Sequence, residues 1–150
     1  MDMFTAVKSV YSKYATFSGR ASRAEFWYFF LFTLVAGAAL SAIDSTFASA
    51  FSIANIVPNL AVAVRRLHDT NRSGKLIIAL FLAEVLLFVV IGVSFVAGIA
   101  GALGGDSGAA AGGGIGLLIG VLLLLVLFVY SIYLMAKRGD AGPNRYGDPS

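Results

Sequence analysis

The sequence predicts an all-α integral membrane protein, a helical bundle of four transmembrane helices preceded by a short interfacial amphipathic helix. Three observations predict it. Apolar residues make up 59% of the 150-residue chain and charged residues only 13%, against roughly 45–50% and 25% in a soluble domain. The charges are segregated, with long uncharged runs between them. Those runs form four segments, three of which meet the roughly 20 apolar residues that a helix needs to cross a hydrocarbon core about 30 Å thick. The length allows one compact membrane domain, 1–150.

Residues 1–21 read as an interfacial helix and linker. Phe4, Val7, Tyr11 and Tyr14 recur at helical spacing, and Lys8, Ser9, Ser12 and Lys13 fall on the other side. Such a helix is expected to lie on the inner leaflet, apolar face in lipid and lysines at the headgroups. No continuous apolar run with a small-residue cleavage site precedes residue 21, so the first span is expected to be an uncleaved anchor.

The first span is predicted over 24–43. Ser22 stands three residues before Glu25, the spacing of a capping box, and Trp27 and Tyr28 fit an interfacial aromatic belt. The second span, 47–64, follows a tight turn with Asp44 or Ser45 as N-cap. It is short and carries Ser49, Ser52, Asn55, Pro58 and Asn59, so it must lean on neighbouring helices rather than lipid. The third span covers 76–100 and the fourth 115–136. Between them, 101–114 is rich in glycine and reads as a flexible outer loop. It is no phosphate loop, because no Gly-Lys-Ser/Thr follows. Gly116 and Gly120, like Gly37 and Ser41, are four apart, a spacing that lets helices approach closely within a bundle or a homo-oligomer. Residues 137–150 form a polar tail.

Orientation follows from the basic residues. Lys8, Lys13, Arg20 and Arg23 precede the first span; Arg65, Arg66, Arg72 and Lys75 lie between the second and third; Lys137, Arg138 and Arg145 follow the fourth. These are all eleven Lys and Arg. With four spans they fall on one side, opposite Asp44 and Asp106, so both termini are expected in the cytoplasm. There is no cysteine, which excludes disulfides, thiolate metal sites and cysteine nucleophiles. Nucleic acid is not an expected partner: the net charge is only +3, and bases beside a bilayer meet phospholipid first.

Three motifs stand in order: FSGRASRAEFWYFFLF from Phe17, RRLHDTNRSGK from Arg65 and GPNRYGDP from Gly142. With them the chain resembles the domain of unknown function 805 family of small bacterial inner-membrane proteins. The resemblance implies a multi-span topology in the bacterial cytoplasmic membrane and no particular enzyme activity. Lys75-Leu76 stands here where the family commonly has an aromatic pair, and the stretch between the second and third motifs is longer.

Two groups of residues are candidates for function. The topology brings Arg20, Arg23, Glu25, Arg65, Arg66, His68, Asp69, Arg72, Asn144 and Arg145 to one membrane face. Arginine forks suit phosphate, so this polar cluster is expected either to take anionic lipid headgroups or a partner, or to be a salt-bridge lattice locking three segments together. Asp69, three residues from Arg66 and four from Arg65, should pair with them on a helix. His68 and Asp69 are adjacent, do not face each other, and make no ready dyad for work on a lipid headgroup. No catalytic or metal-ligating set is assigned and no cofactor is called for. The second group is intramembrane. Glu84 lies nine residues from Lys75, roughly 13 Å deep, and Asn55 and Asn59 reach roughly 15 and 9 Å. An ionisable group at that depth marks either a proton or ion path in a small transporter or channel subunit or an interhelical hydrogen bond.

Overall fold

A computed structural model describes residues 1–149. The described chain is all helical: α1 Met3–Ser12, α2 Arg23–Ile43, α3 Ser45–Asp69, α4 Lys75–Gly104 and α5 Ser107–Ala136. Four of these, α2 to α5, are long and apolar enough to cross a membrane. The single membrane domain read from the sequence resolves into two compact units. One holds Met1–Ile77 with the segment from Leu134 onward; the other holds Ile78–Tyr133.

In the first unit each helix start has a local cause. Asp2 caps α1, accepting from Thr5 N at 2.8 Å. Ser22 caps α2, accepting from Glu25 N at 3.2 Å. The other half of the expected capping box is diverted, because the Glu25 carboxylate accepts from Ser9 Oγ and Arg65 Nη1. Asp44 ends α2 and caps α3, accepting from Thr46 N at 2.6 Å and Phe47 N at 3.3 Å. Those amide bonds hold its carboxyl below the usual carboxylate range. With the folded value lowered, the cap contributes fully above the ordinary carboxylate pKa and is lost as pH falls through its own.

α1 packs on protein through part of its apolar face. Val10 is buried with Ala21, Phe29 and Val62, and Val7, Phe26 and Phe32 pack around them. Tyr11 meets Phe29 edge-on at 5.4 Å and donates to Asn55 Oδ1 at 2.8 Å. The rest of that face stays open, with Phe4 80%, Tyr14 41% and Tyr11 37% exposed. The cause lies in α3. Pro58 has no N–H to give the carbonyl four residues back, and Tyr14 Oη donates to that carbonyl, Ala54 O. The polar stretch of the second span thus leans on α1, the neighbour it required.

α3 runs 25 residues, to Asp69, rather than ending at Val64. Arg65 to Asp69 of what looked like a charged loop are therefore its last turn, and the connection to α4 is only Thr70–Gly74. Asn71 takes a positive φ of 56°, a conformation that Asn tolerates better than most residues.

The second unit corrects the glycine-rich segment. Residues 101–114 are not a flexible loop: α4 continues to Gly104, α5 starts at Ser107, and Gly105 (φ +72°) and Asp106 make the turn. Asp106 Oδ1 accepts from Ala109 N at 3.0 Å. Some of the glycines, Gly101 and Gly113 within this stretch and Gly98, Gly116 and Gly120 beside it, form a packing face. A Cβ on Gly113 would sit 2.4 Å from the Gly98 backbone, one on Gly101 2.5 Å from Ala110 N, and one on Gly116 2.5 Å from Ser94 Oγ. Close helix approach accounts for those positions, while Gly104, Gly112 and Gly114 face open space. Gly120 joins the same seam against Ile91, whereas Gly37 faces open space.

Candidate functional site

The polar cluster is built where α2 begins, α3 ends and the tail folds back. Ala21 N donates to Arg65 O at 3.0 Å and Asp140 N to Asp69 O at 2.8 Å, so both flanking segments are stitched to the end of α3. Asp69 is the hub. Its Oδ1 accepts from Arg20 Nε at 2.8 Å and its Oδ2 from Arg66 Nη1. Gly139 is required here, since a Cβ would fall 1.9 Å from Asp69 Oδ2.

The Arg20 and Arg66 guanidiniums engage every nitrogen on this chain. Arg20 also donates to Gly142 O at 2.8 Å, Gly147 O at 3.3 Å and Asp140 O. Arg66 donates to Met135 O at 2.9 Å and to Lys137 O. The expected pairing of Asp69 with Arg66 is present. Arg65 does not join it; it turns to Glu25 Oε1 at 3.0 Å, leaving its Nε and Nη2 without a partner among the described residues. Arg65 and Arg66 are essentially inaccessible. Charges buried this deeply require partners of good geometry.

His68 is fixed by both flanks. Its Nδ1 lies 3.1 Å from Gly19 O, so that nitrogen carries the proton and donates. Its ring stacks on Tyr146 at 3.7 Å and 4°. Arg145 lies 4.8 Å from the Tyr146 ring centre and donates to Asn71 O at 3.0 Å. Asn144 donates to His68 O at 3.0 Å and pairs with Gly147 across a tight turn. His68 and Asp69 therefore address different partners and form no dyad. Arg72 is half-buried, its backbone N–H donating to Leu67 O.

Arg23 stands apart. It is exposed, and among the described residues its side chain has no ion pair or hydrogen bond. The intramembrane residues divide as well. Glu84 accepts from Ser131 Oγ at 3.3 Å, linking α4 to α5. Asn55 receives Tyr11, and Asn59 donates to Asn55 O at 2.8 Å.

Sequence reasoning missed Ser9, Tyr11, Tyr14, Gly19 and Gly139. Four of these act through a hydroxyl or a backbone carbonyl, which carries no signature in the sequence. The fifth, Gly139, matters for the absence of a side chain. Pro58 was the one available signal, since a proline inside a helix leaves a carbonyl seeking a donor.

The three motifs that meet at this cluster lie within one family match, save the last residue, Pro149. The family model described as "Protein of unknown function (DUF805)" matches residues 14–148. The chain belongs to the DUF805 family. Two curated relatives are inner membrane protein YhaI of Escherichia coli strain K12 and of Escherichia coli O157:H7. Each is 41% identical over 73 residues, which is 44% of this chain and 62% of the relative. The match thus spans less than two thirds of those relatives' length. No solved structure matches the chain. The DUF805 match holds both flanks of the cluster, from Gly19 to Asp148.

Proposed function

We propose that this DUF805 protein is a non-enzymatic protein of a bacterial inner membrane, with both termini in the cytoplasm. Its arginine cluster is a structural latch that presents a cytoplasmic surface, at headgroup depth, to anionic lipid or a partner. One observation carries this reading: Arg20, Arg65 and Arg66 are buried and directed at the chain's own carboxylates and carbonyls. Groups so engaged hold segments together and are not free for substrate. The membrane assignment draws support from the relatives' description as inner membrane proteins. The orientation draws on the segregation of all eleven basic residues.

The chain has no cysteine, which makes the orientation directly testable. Single cysteines at Ser18 and Asp148 should react with an impermeant maleimide in inverted vesicles and stay unlabelled in spheroplasts. Labelling in intact spheroplasts would reject the topology.

A second reading, a small transporter or channel subunit, has one observation behind it: Glu84 within the α4–α5 pair. Glutamine at 84 keeps an acceptor for Ser131 and removes the ionisable group. A proton flux in proteoliposomes that disappears in Glu84→Gln would carry that reading; stability alone would not. The third reading, headgroup chemistry through His68 and Asp69, has no supporting geometry, since both are committed elsewhere.

A further inference from the structure

An open groove of about 570 Å³ runs beside the latch, lined by Ser22, Arg23, Ala24, Trp27, Tyr28 and Ala136. Its two walls differ in chemistry. One is the first turn of α2, with the Arg23 guanidinium and the Arg23 and Ala24 N–H groups ahead of the amide that Ser22 caps. The other is aromatic and aliphatic. Trp27 and Tyr28 lie four and five residues beyond Arg23, about one helical turn deeper along α2.

Arg23 is the arginine of this region that the latch leaves over. Arg20, Arg65 and Arg66 end on internal acceptors, while Arg23 has no partner among the described residues. The charges of Arg20 and Arg23 both reach Arg66, so three guanidiniums crowd one corner, with Asp69 as the carboxylate bonded there. An anion beside Arg23 relieves that excess. A neighbouring cavity of about 210 Å³ shares Ser22 and Arg23 but also bears Arg20, Asp69 and Asp140; Arg20 is spent on Asp69 and on backbone carbonyls, and the two carboxylates offset its arginines. Charge therefore selects the aromatic groove.

We propose that this groove binds an anionic phospholipid, its phosphate on Arg23 and its glycerol and upper acyl carbons against Trp27, Tyr28 and Ala136. A guanidinium presents a fork of donors matched to phosphate oxygens. Trp and Tyr favour the headgroup level. Free phosphate would use only half of such a groove, because nothing in it would cover the apolar wall. The proposal narrows the lipid contact of the functional reading to one place outside the latch, and it rests on that reading for the leaflet involved.

The test uses the full chain in detergent, stripped of lipid. Its thermal unfolding is followed while short-chain phosphatidylglycerol, phosphatidylcholine of the same chains, or inorganic phosphate is added. Phosphatidylglycerol should raise the apparent Tm, and the other two should not. Arg23→Gln should start from the same Tm and weaken the phosphatidylglycerol response about tenfold or more. Arg23→Lys should recover part of it, and Arg138→Gln, a second exposed cation of the same region, should keep all of it. Trp27→Ala should weaken the response without altering the preference for anionic lipid. An undiminished response in Arg23→Gln overturns the site. An equal response to inorganic phosphate overturns the lipid in favour of a small anion. An equal loss in Arg138→Gln reduces the effect to surface charge and overturns it too. Binding in detergent is independent of sidedness, so the cysteine labelling can fail while this succeeds, and the reverse.

Discussion

The Glu25–Arg65 pair shows most directly how single residues hold the latch. Both are almost wholly buried, joined at 3.0 Å, and Glu25 also receives Ser9. Removing one member leaves the other charge buried, at a cost of about 3–5 kcal/mol. Glu25→Ala is therefore expected to destabilise by that amount. The double variant Glu25→Leu with Arg65→Met should be closer to the parent than Glu25→Ala alone, because it leaves no orphan charge. Chemical denaturation in detergent measures both. A double variant as unstable as the sum of the singles would show that the pair contributes nothing as a pair. The two unpartnered nitrogens of Arg65 point the same way: this arginine is held by Glu25 and by little else.

At the scale of an element, α3 and α5 each contain a residue that an isolated helix would resist. Pro58 frees Ala54 O, and Tyr14 of the segment after α1 supplies the donor. Tyr14→Phe should cost about 1–2 kcal/mol in the parent. In a Pro58→Ala background it should cost much less, because the restored N–H takes the carbonyl. Equal costs in both backgrounds would remove Tyr14 from this role. In α5, neighbouring glycines should behave oppositely. A side chain at Gly113 meets the Gly98 backbone at 2.4 Å, while one at Gly112 meets nothing within 4 Å. Gly113→Leu is expected to lower Tm in detergent, at about 1–3 kcal/mol or more of overpacking. Gly112→Ala should leave Tm unchanged or raise it, since alanine is the better helix former.

For the whole molecule, the consequence of the latch is that residues distant in sequence share one fate. Arg20 and Arg66 together take acceptors from Asp69, Met135, Lys137, Asp140, Gly142 and Gly147. Arg20→Gln should release the tail without disturbing helix content. Limited trypsin digestion would then cut faster at Lys137 and Arg138, whose side chains are already exposed and whose backbone the latch restrains. An unchanged cleavage rate would mean that Arg66 and Tyr146 hold the tail unaided.

The sequence by itself determined the helical class, the four apolar segments and the meeting of three charged motifs. These follow from properties that every residue carries locally: hydropathy over a window, helical period and the placement of charge. It also determined the Asp69–Arg66 pair, because three residues along a helix is a fixed geometry. Only the tertiary structure decided that Arg65 belongs to Glu25 and Asp69 to Arg20, since those partners lie 40 and 49 residues apart. It decided that Val7 and Val10 of α1 rest on protein, because an apolar face does not say which of its residues a neighbour will cover. It turned a glycine-rich stretch from a linker into a seam, because glycine permits both a flexible chain and the closest approach of two helices. The neighbour that a side chain would strike determines which of the two a sequence means.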